Sequence, residues 1–112
     1  MKLVALAAIL AVLTVPAALA STPTLNGTVG PGFTITLKTA GAKVTKLKHG
    51  TYVIKVADKS TIHNFHLKGP GVDKKTTVGF TGTKTWTVTL KAGKYTYTCD
   101  PHPFMKGSFT VT

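Results

Sequence analysis

Beyond residue 20 the chain shows no helical spacing of apolar side chains over any useful length; they recur at every second position instead. Phe33, Ile35 and Leu37 alternate with threonines in FTITL, and Tyr52, Ile54 and Val56 alternate with Val53, Lys55 and Ala57. Trp86, Val88 and Leu90 keep the same beat, Tyr95, Tyr97 and Cys99 share one parity, and Phe109 and Val111 close the chain. Side chains of a strand point alternately to its two faces, so this period buries one face of each segment. The β-branched and aromatic content suits such a surface. VGPG, GAK, KHG, KGPG, FTGT and KAG lie between the segments, and each can turn the chain. Short strands so closely spaced predict an all-β fold, an antiparallel β-sandwich with Greek-key connections, with Trp86 in its core. LKHGTY at 47–52 and LKAGKY at 90–95 echo one another, each with a glycine just before a strand. They read as two similar hairpin turns, not as a tandem repeat.

The first twenty residues, MKLVALAAILAVLTVPAALA, have a lysine, an apolar run and a small-residue Ala18-Leu19-Ala20 end. That order is a secretory signal, with cleavage expected after Ala20; Pro16 and the cleavage site argue against a retained membrane anchor. The mature chain, residues 21–112, is then one small domain of 112 − 20 = 92 residues in a periplasm or outside the cell. A domain of this size gains from an added staple. Cysteine pairs often supply it in exported proteins, but Cys99 is the chain's one cysteine. An unpaired thiol in an oxidising compartment is a crosslink, a liability or a protected ligand.

All 14 basic residues are lysines, against three aspartates and no glutamate. Evenly spread lysines serve solubility and guard strand edges; they also steer a protein toward acidic partners. Nucleic acid is disfavoured as a partner, because no arginine is present to fork onto phosphate or guanine and the lysines do not cluster beyond Lys74-Lys75.

Cys99 lies in CDPHPFM, three residues before His102 and six before Met105. Taken singly, each has an ordinary account: a buried cysteine, a loop histidine, a methionine filling core. Together they supply three of the four donors of a blue-copper site, which sets two imidazoles and a thiolate in a plane with a weak axial thioether. The fourth should come from a distant strand, and STIHNFHLKG offers His63. Alternation puts His63, Phe65 and Leu67 on one face and Asn64 and His66 on the other. His66 is therefore read as a structural or surface histidine, and His49, in the KHG turn, as a solvent-exposed one. The tripeptide YTC also suggests an immunoglobulin-like domain, but that family's inter-sheet disulfide needs a second cysteine.

On these residues the chain resembles the cupredoxins, the small blue-copper electron-transfer proteins. Its Cys-x-Pro-His-Pro-Phe-Met loop and His-Asn-x-His segment are most similar to the amicyanin type. The resemblance covers most of the mature chain and implies one type 1 copper held by His63, Cys99, His102 and Met105. It also implies that the exposed edge of His102 is the electron exit, with Pro103 and Phe104 forming the docking surface for redox proteins. In this family backbone N–H groups bond to the thiolate from the residue after the first histidine and often from two residues past the cysteine. Here those positions are Asn64 and Pro101, and proline has no N–H to give. Asp100 stands where amicyanin-type loops commonly carry a hydroxyl residue, which leaves the loop's bond toward Asn64 unassigned.

The expected function is one-electron transport by a monomer, not catalysis, since a catalytic metal needs an open coordination position. The alternative within the same fold is copper handling, as a buffer or delivery protein. From another class comes a cationic module for anionic surfaces, its metal purely structural.

Overall fold

The computed structural model describes residues 21–112; the expected signal segment, residues 1–20, lies outside them. Ten strands follow in chain order: β1 (Thr24–Val29), β2 (Ile35–Thr39), β3 (Ala42–Lys43), β4 (Lys46–Leu47) and β5 (Gly50–Asp58), then β6 (His66–Gly69), β7 (Val72–Lys75), β8 (Gly82–Leu90), β9 (Gly93–Thr98) and β10 (Lys106–Val111). They form two five-stranded sheets, ordered β3-β2-β1-β5-β8 and β4-β10-β9-β6-β7. The inward faces of both sheets meet in one core.

The alternating positions fill that core. Ile54 and Val56 from β5, Leu67 from β6, Leu90 from β8 and Tyr95 and Tyr97 from β9 are all essentially inaccessible to solvent. Burying a Leu, Ile or Phe side chain stabilises by roughly 1.5–3 kcal/mol, so this register is held firmly. Phe65 stacks on Tyr97 at 5.6 Å and Tyr95 on Phe109 at 5.2 Å, which gives the core an aromatic spine running under the loop after β9. Trp86 is half-buried and packs against the core from β8. Gly107 sits opposite Tyr97 in the β9–β10 register, and a Cβ there would run into the tyrosine ring. The glycine is what lets the ring lie flat across β10.

The sandwich is not purely antiparallel as expected. β1 pairs with β5 in parallel, and so does β10 with β4. Parallel neighbours need a long return path, and the intervening strands provide it in both cases. Nor are the two echoed turns hairpins. Gly50 (φ 151°) and Gly93 (φ 144°) each open a strand in the sheet opposite to the one the chain has just left, so both are arches across the sandwich. In each arch a tyrosine hydroxyl donates to the carbonyl of the lysine four residues earlier: Tyr52 to Lys48 at 2.7 Å and Tyr95 to Lys91 at 2.9 Å. The sequence echo is a repeated corner.

Lysines do guard the sheet edges: β3 and β4 are two residues long and each carries one, and β7 ends in Lys74-Lys75.

Candidate metal centre

Two stretches of chain approach one another at one end of the sandwich. The first leaves β5 at Asp58. Its carboxylate accepts from the Ser60 N–H at 3.2 Å, and the Ser60 hydroxyl accepts from the Ile62 N–H at 3.3 Å. Short polar side chains that bond the backbone two residues on make a tight turn, and this one delivers His63 to the interior. The next residues are not yet in a ladder, so side chains satisfy their backbone. Phe65 N–H donates to the Thr76 hydroxyl at 2.9 Å, and that hydroxyl donates to Asp58 at 3.0 Å.

The second stretch is the loop from Cys99 to Met105, which closes on itself. His102 N–H donates to the Cys99 carbonyl (3.2 Å), Met105 N–H to the His102 carbonyl (2.9 Å), and Cys99 N–H to the Met105 carbonyl (3.0 Å). Pro101 and Pro103 bring no N–H that would need a partner, which suits so short a loop. Cys99 keeps the inward parity of Tyr95 and Tyr97 and is fully buried.

The histidines then face the sulfur. Cys99 Sγ lies 3.7 Å from His63 Nδ1 and 3.7 Å from His102 Nδ1, and the two Nδ1 atoms are 3.0 Å apart. Bonds of about 2.0–2.1 Å from imidazole and about 2.3 Å from thiolate to a first-row metal, set in a trigonal plane, place nitrogen and sulfur roughly 3.7–3.8 Å apart. The two N···S spacings fit; the N···N spacing is tighter, as suits rings in direct contact. These three side chains form a group that can bind one copper ion. Thiolate and imidazole together accommodate both Cu(I) and Cu(II). His63 and Cys99 are buried, His102 is half-exposed, and Met105 is buried at the end of the loop.

Around the donors, the Asn64 N–H points at Cys99 Sγ from 3.4 Å. The bond from the loop to Asn64 is present despite the aspartate, and it is double. Asn64 Nδ2 donates to Asp100 Oδ2 at 2.8 Å, and Asp100 N–H donates to Asn64 Oδ1 at 2.7 Å. His66 is structural, bonded to Asp100 at 2.8 Å and to Asp73 at 2.6 Å. Partial burial alone would raise the Asp100 carboxyl, but hydrogen bonds from His66 and Asn64 and the nearby His66 and Lys75 charges outweigh it and hold it below the usual range. Burial pushes Asp58 the other way, upward, only partly offset by its bonds from Ser60 and Thr76. His49 is exposed, as expected, its ring against the Thr112 carbonyl.

Phe33 corrects the sequence reading. It was expected to alternate with Ile35 and Leu37 in a strand, but β2 begins at Ile35 and Phe33 is 58 % exposed. Its ring instead lies edge-on to His63 (5.0 Å) and His102 (5.1 Å) and 6.0 Å from Phe104. The signal was its place directly after Gly-Pro-Gly, whose turn runs through it. Thr76, Asp58 and Asp73 were also missed, because their partners lie 7 to 18 residues away.

Known proteins identify the family to which this fold belongs. A family profile described as a cupredoxin-like domain matches residues 2–111. Amicyanin-alpha of Methylorubrum extorquens is 35 % identical over 118 aligned positions, covering 99 % of each chain. The chain belongs to the cupredoxin-like family. Among solved structures, auracyanin A, a blue copper protein of Chloroflexus aurantiacus, superposes with a TM-score of 0.55 at 18 % identity, covering 82 % of this chain and all of that one. Rusticyanin of Thiobacillus ferrooxidans gives 0.54 at 21 % identity, over 82 % of this chain and 79 % of its own. At those identities the likeness is one of fold. In cupredoxin terms, the donors here sit at one end of the sandwich, with the His102 side open to the surface.

Proposed function

We propose that the mature chain is an exported type 1 copper protein that carries single electrons between redox proteins. The observation that carries this is the buried Cys99 sulfur with two imidazole nitrogens 3.7 Å away, one ring sealed inside and the other reaching the surface. Met105, buried at the end of the same loop, would supply the fourth and weaker, thioether donor. Bound copper supplies a one-electron Cu(I)/Cu(II) couple. The protein's part is to hold His63 and Cys99 still and to exclude water from them. Half-exposed His102, in contact with the rings of Phe33 and Phe104 and with Pro101 and Pro103 exposed beside it, is the proposed electron exit. A small apolar patch of this kind suits a brief encounter.

The charge supports the same reading. Among the described residues both ion pairs involve His66, and no lysine is paired with an acid. The lysines are therefore free to steer an acidic partner, and association should slow as salt rises. A rate insensitive to ionic strength would remove the steering and leave the metal assignment standing. Residues 1–20 act in this proposal as a cleaved signal, and the mature protein works as a monomer without a catalytic reaction of its own.

The test is spectroscopic. Mature protein given Cu(II) should show an intense visible thiolate band, and Cys99→Ser should lose it entirely. Reversible one-electron cycling with the metal retained supports the carrier. Loss of the metal to a Cu(I) chelator on each reduction supports copper handling instead, and no visible band in the unmodified chain defeats both.

A further inference from the structure

We infer that His66 is a positioning residue for the thiolate site, bracing Asp100 so that Asp100 can lock Asn64 against Cys99. The sequence has only three side-chain carboxylates against 14 lysines, yet none of the three pairs with a lysine among the described residues. All three are committed to the segment from His63 to His66. Asp58 acts on Phe65 through Thr76, while Asp73 and Asp100 take the two nitrogens of His66.

The chemistry explains why the ring is needed. A hydroxyl residue at position 100 would bond Asn64 with its single oxygen and be satisfied. An aspartate has two oxygens. Asp100 Oδ2 takes the Asn64 amide, which leaves Oδ1 in need of a donor and the carboxylate free to swing toward nearby Lys75. His66 Nδ1 fills that need at 2.8 Å. Asp73 then holds Nε2 at 2.6 Å. With a proton on each nitrogen the ring, whose side chain is only 12 % exposed, donates at both ends and cannot rotate without losing a partner at each. The result is one continuous chain of bonds, Asp73 to His66 to Asp100 to Asn64 to Cys99, running from the edge strand β7 to the sulfur. Asp100 and His66 are a matched pair.

The inference rests on Cys99 being the metal-bound thiolate, but its test is read in metal-free protein and stands whether or not copper binds. Backbone amide hydrogen exchange is measured at Asn64 and Asp100, with Ile54 in β5 and Val88 in β8 as controls. His66→Phe should speed exchange at Asn64 and Asp100 at least about fivefold, equivalent to about 1 kcal/mol, and leave the controls unchanged. Asp73→Asn, at an exposed position that tolerates change, should act in the same direction to a smaller extent and carries the test if His66→Phe does not fold. In an Asp100→Ser background the effect of changing residue 66 should vanish, since a hydroxyl needs no brace. Equal acceleration at all four amides, no acceleration at Asn64 and Asp100, or an undiminished effect in the Asp100→Ser background would each overturn the inference.

Discussion

The two arms of the site are built on opposite plans. His63 belongs to an arm held by other parts of the fold: Thr76 and Asp58 fix Phe65, Asp100 fixes Asn64, and the ring itself is fully buried. His102 belongs to a loop closed by three backbone bonds within seven residues and tied to the first arm through Asp100. Its ring touches the exposed rings of Phe33 and Phe104 as well as buried His63. One imidazole is sealed in the interior and the other is presented at the surface by a loop closed by its own backbone bonds. The difference suggests a division of labour. The sandwich fixes the inner ring, and the loop, which carries the sulfur at its start, sets how much of the site meets solvent.

The difference between the arms should show most strongly at Thr76. Thr76→Val leaves the Phe65 N–H without an acceptor and Oδ2 of the buried Asp58 without its donor, while Oδ1 keeps the Ser60 N–H. Two buried groups left unsatisfied should cost about 2–3 kcal/mol in urea unfolding of metal-free protein. Pro103→Ala in the other arm removes no such bond and should cost no more than about 1 kcal/mol, through the entropy of the unfolded chain. Equal losses in the two variants would mean that the arms are not held differently.

A subtler difference lies in what each arm gives the sulfur. The inner arm donates the Asn64 N–H at 3.4 Å, whereas at Pro101, where the cupredoxin resemblance implies a second donor, the loop has no N–H to give. A thiolate with fewer donors pushes more charge onto its metal and favours the oxidised form. Pro101→Ala should therefore raise the reduction potential of the copper-loaded protein. A donor worth ~1 kcal/mol between the two valence states corresponds to roughly 40 mV. An unchanged or lower potential by voltammetry would show that the loop arm does not tune the sulfur in this way.

How much of this could be read from the chain depends on how far each interaction reaches. Strand parity foretold the burial of Ile54, Tyr97 and Cys99 because it is a local property, and the donor spacing in CDPHPFM was legible for the same reason. The parallel pairing of β1 with β5 was not, since alternation reads the same in either direction. Phe33 was misplaced because its turn and its strand share an apolar residue at their border. Thr76 could not be singled out at all: threonines are common in this chain, and only the fold brings this one between Phe65 and Asp58.

The smallest expected effect is a pH dependence at the outer end of the His63 arm. The hydrogen bond from His66 is the main cause that holds the Asp73 carboxyl below its ordinary value of 3.8, aided by the charges of His66, Lys68 and Lys75 against slight desolvation. A carboxyl lowered in the folded state stabilises the fold fully above its unfolded pKa, and that contribution is lost as pH falls through the folded value. Wild type should therefore unfold at a higher urea concentration than Asp73→Asn at pH 5. The gap should begin to narrow near pH 4 and close below the lowered pKa of Asp73. Because this carboxylate is largely in solvent, screening keeps the gap small. The loop reaches Asp73 through Asp100 and His66, and Pro103→Ala leaves those bonds in place, so it should shift both curves without altering the gap. A gap that widens on acidification would reverse the sign and detach Asp73 from the arm it is assigned to brace.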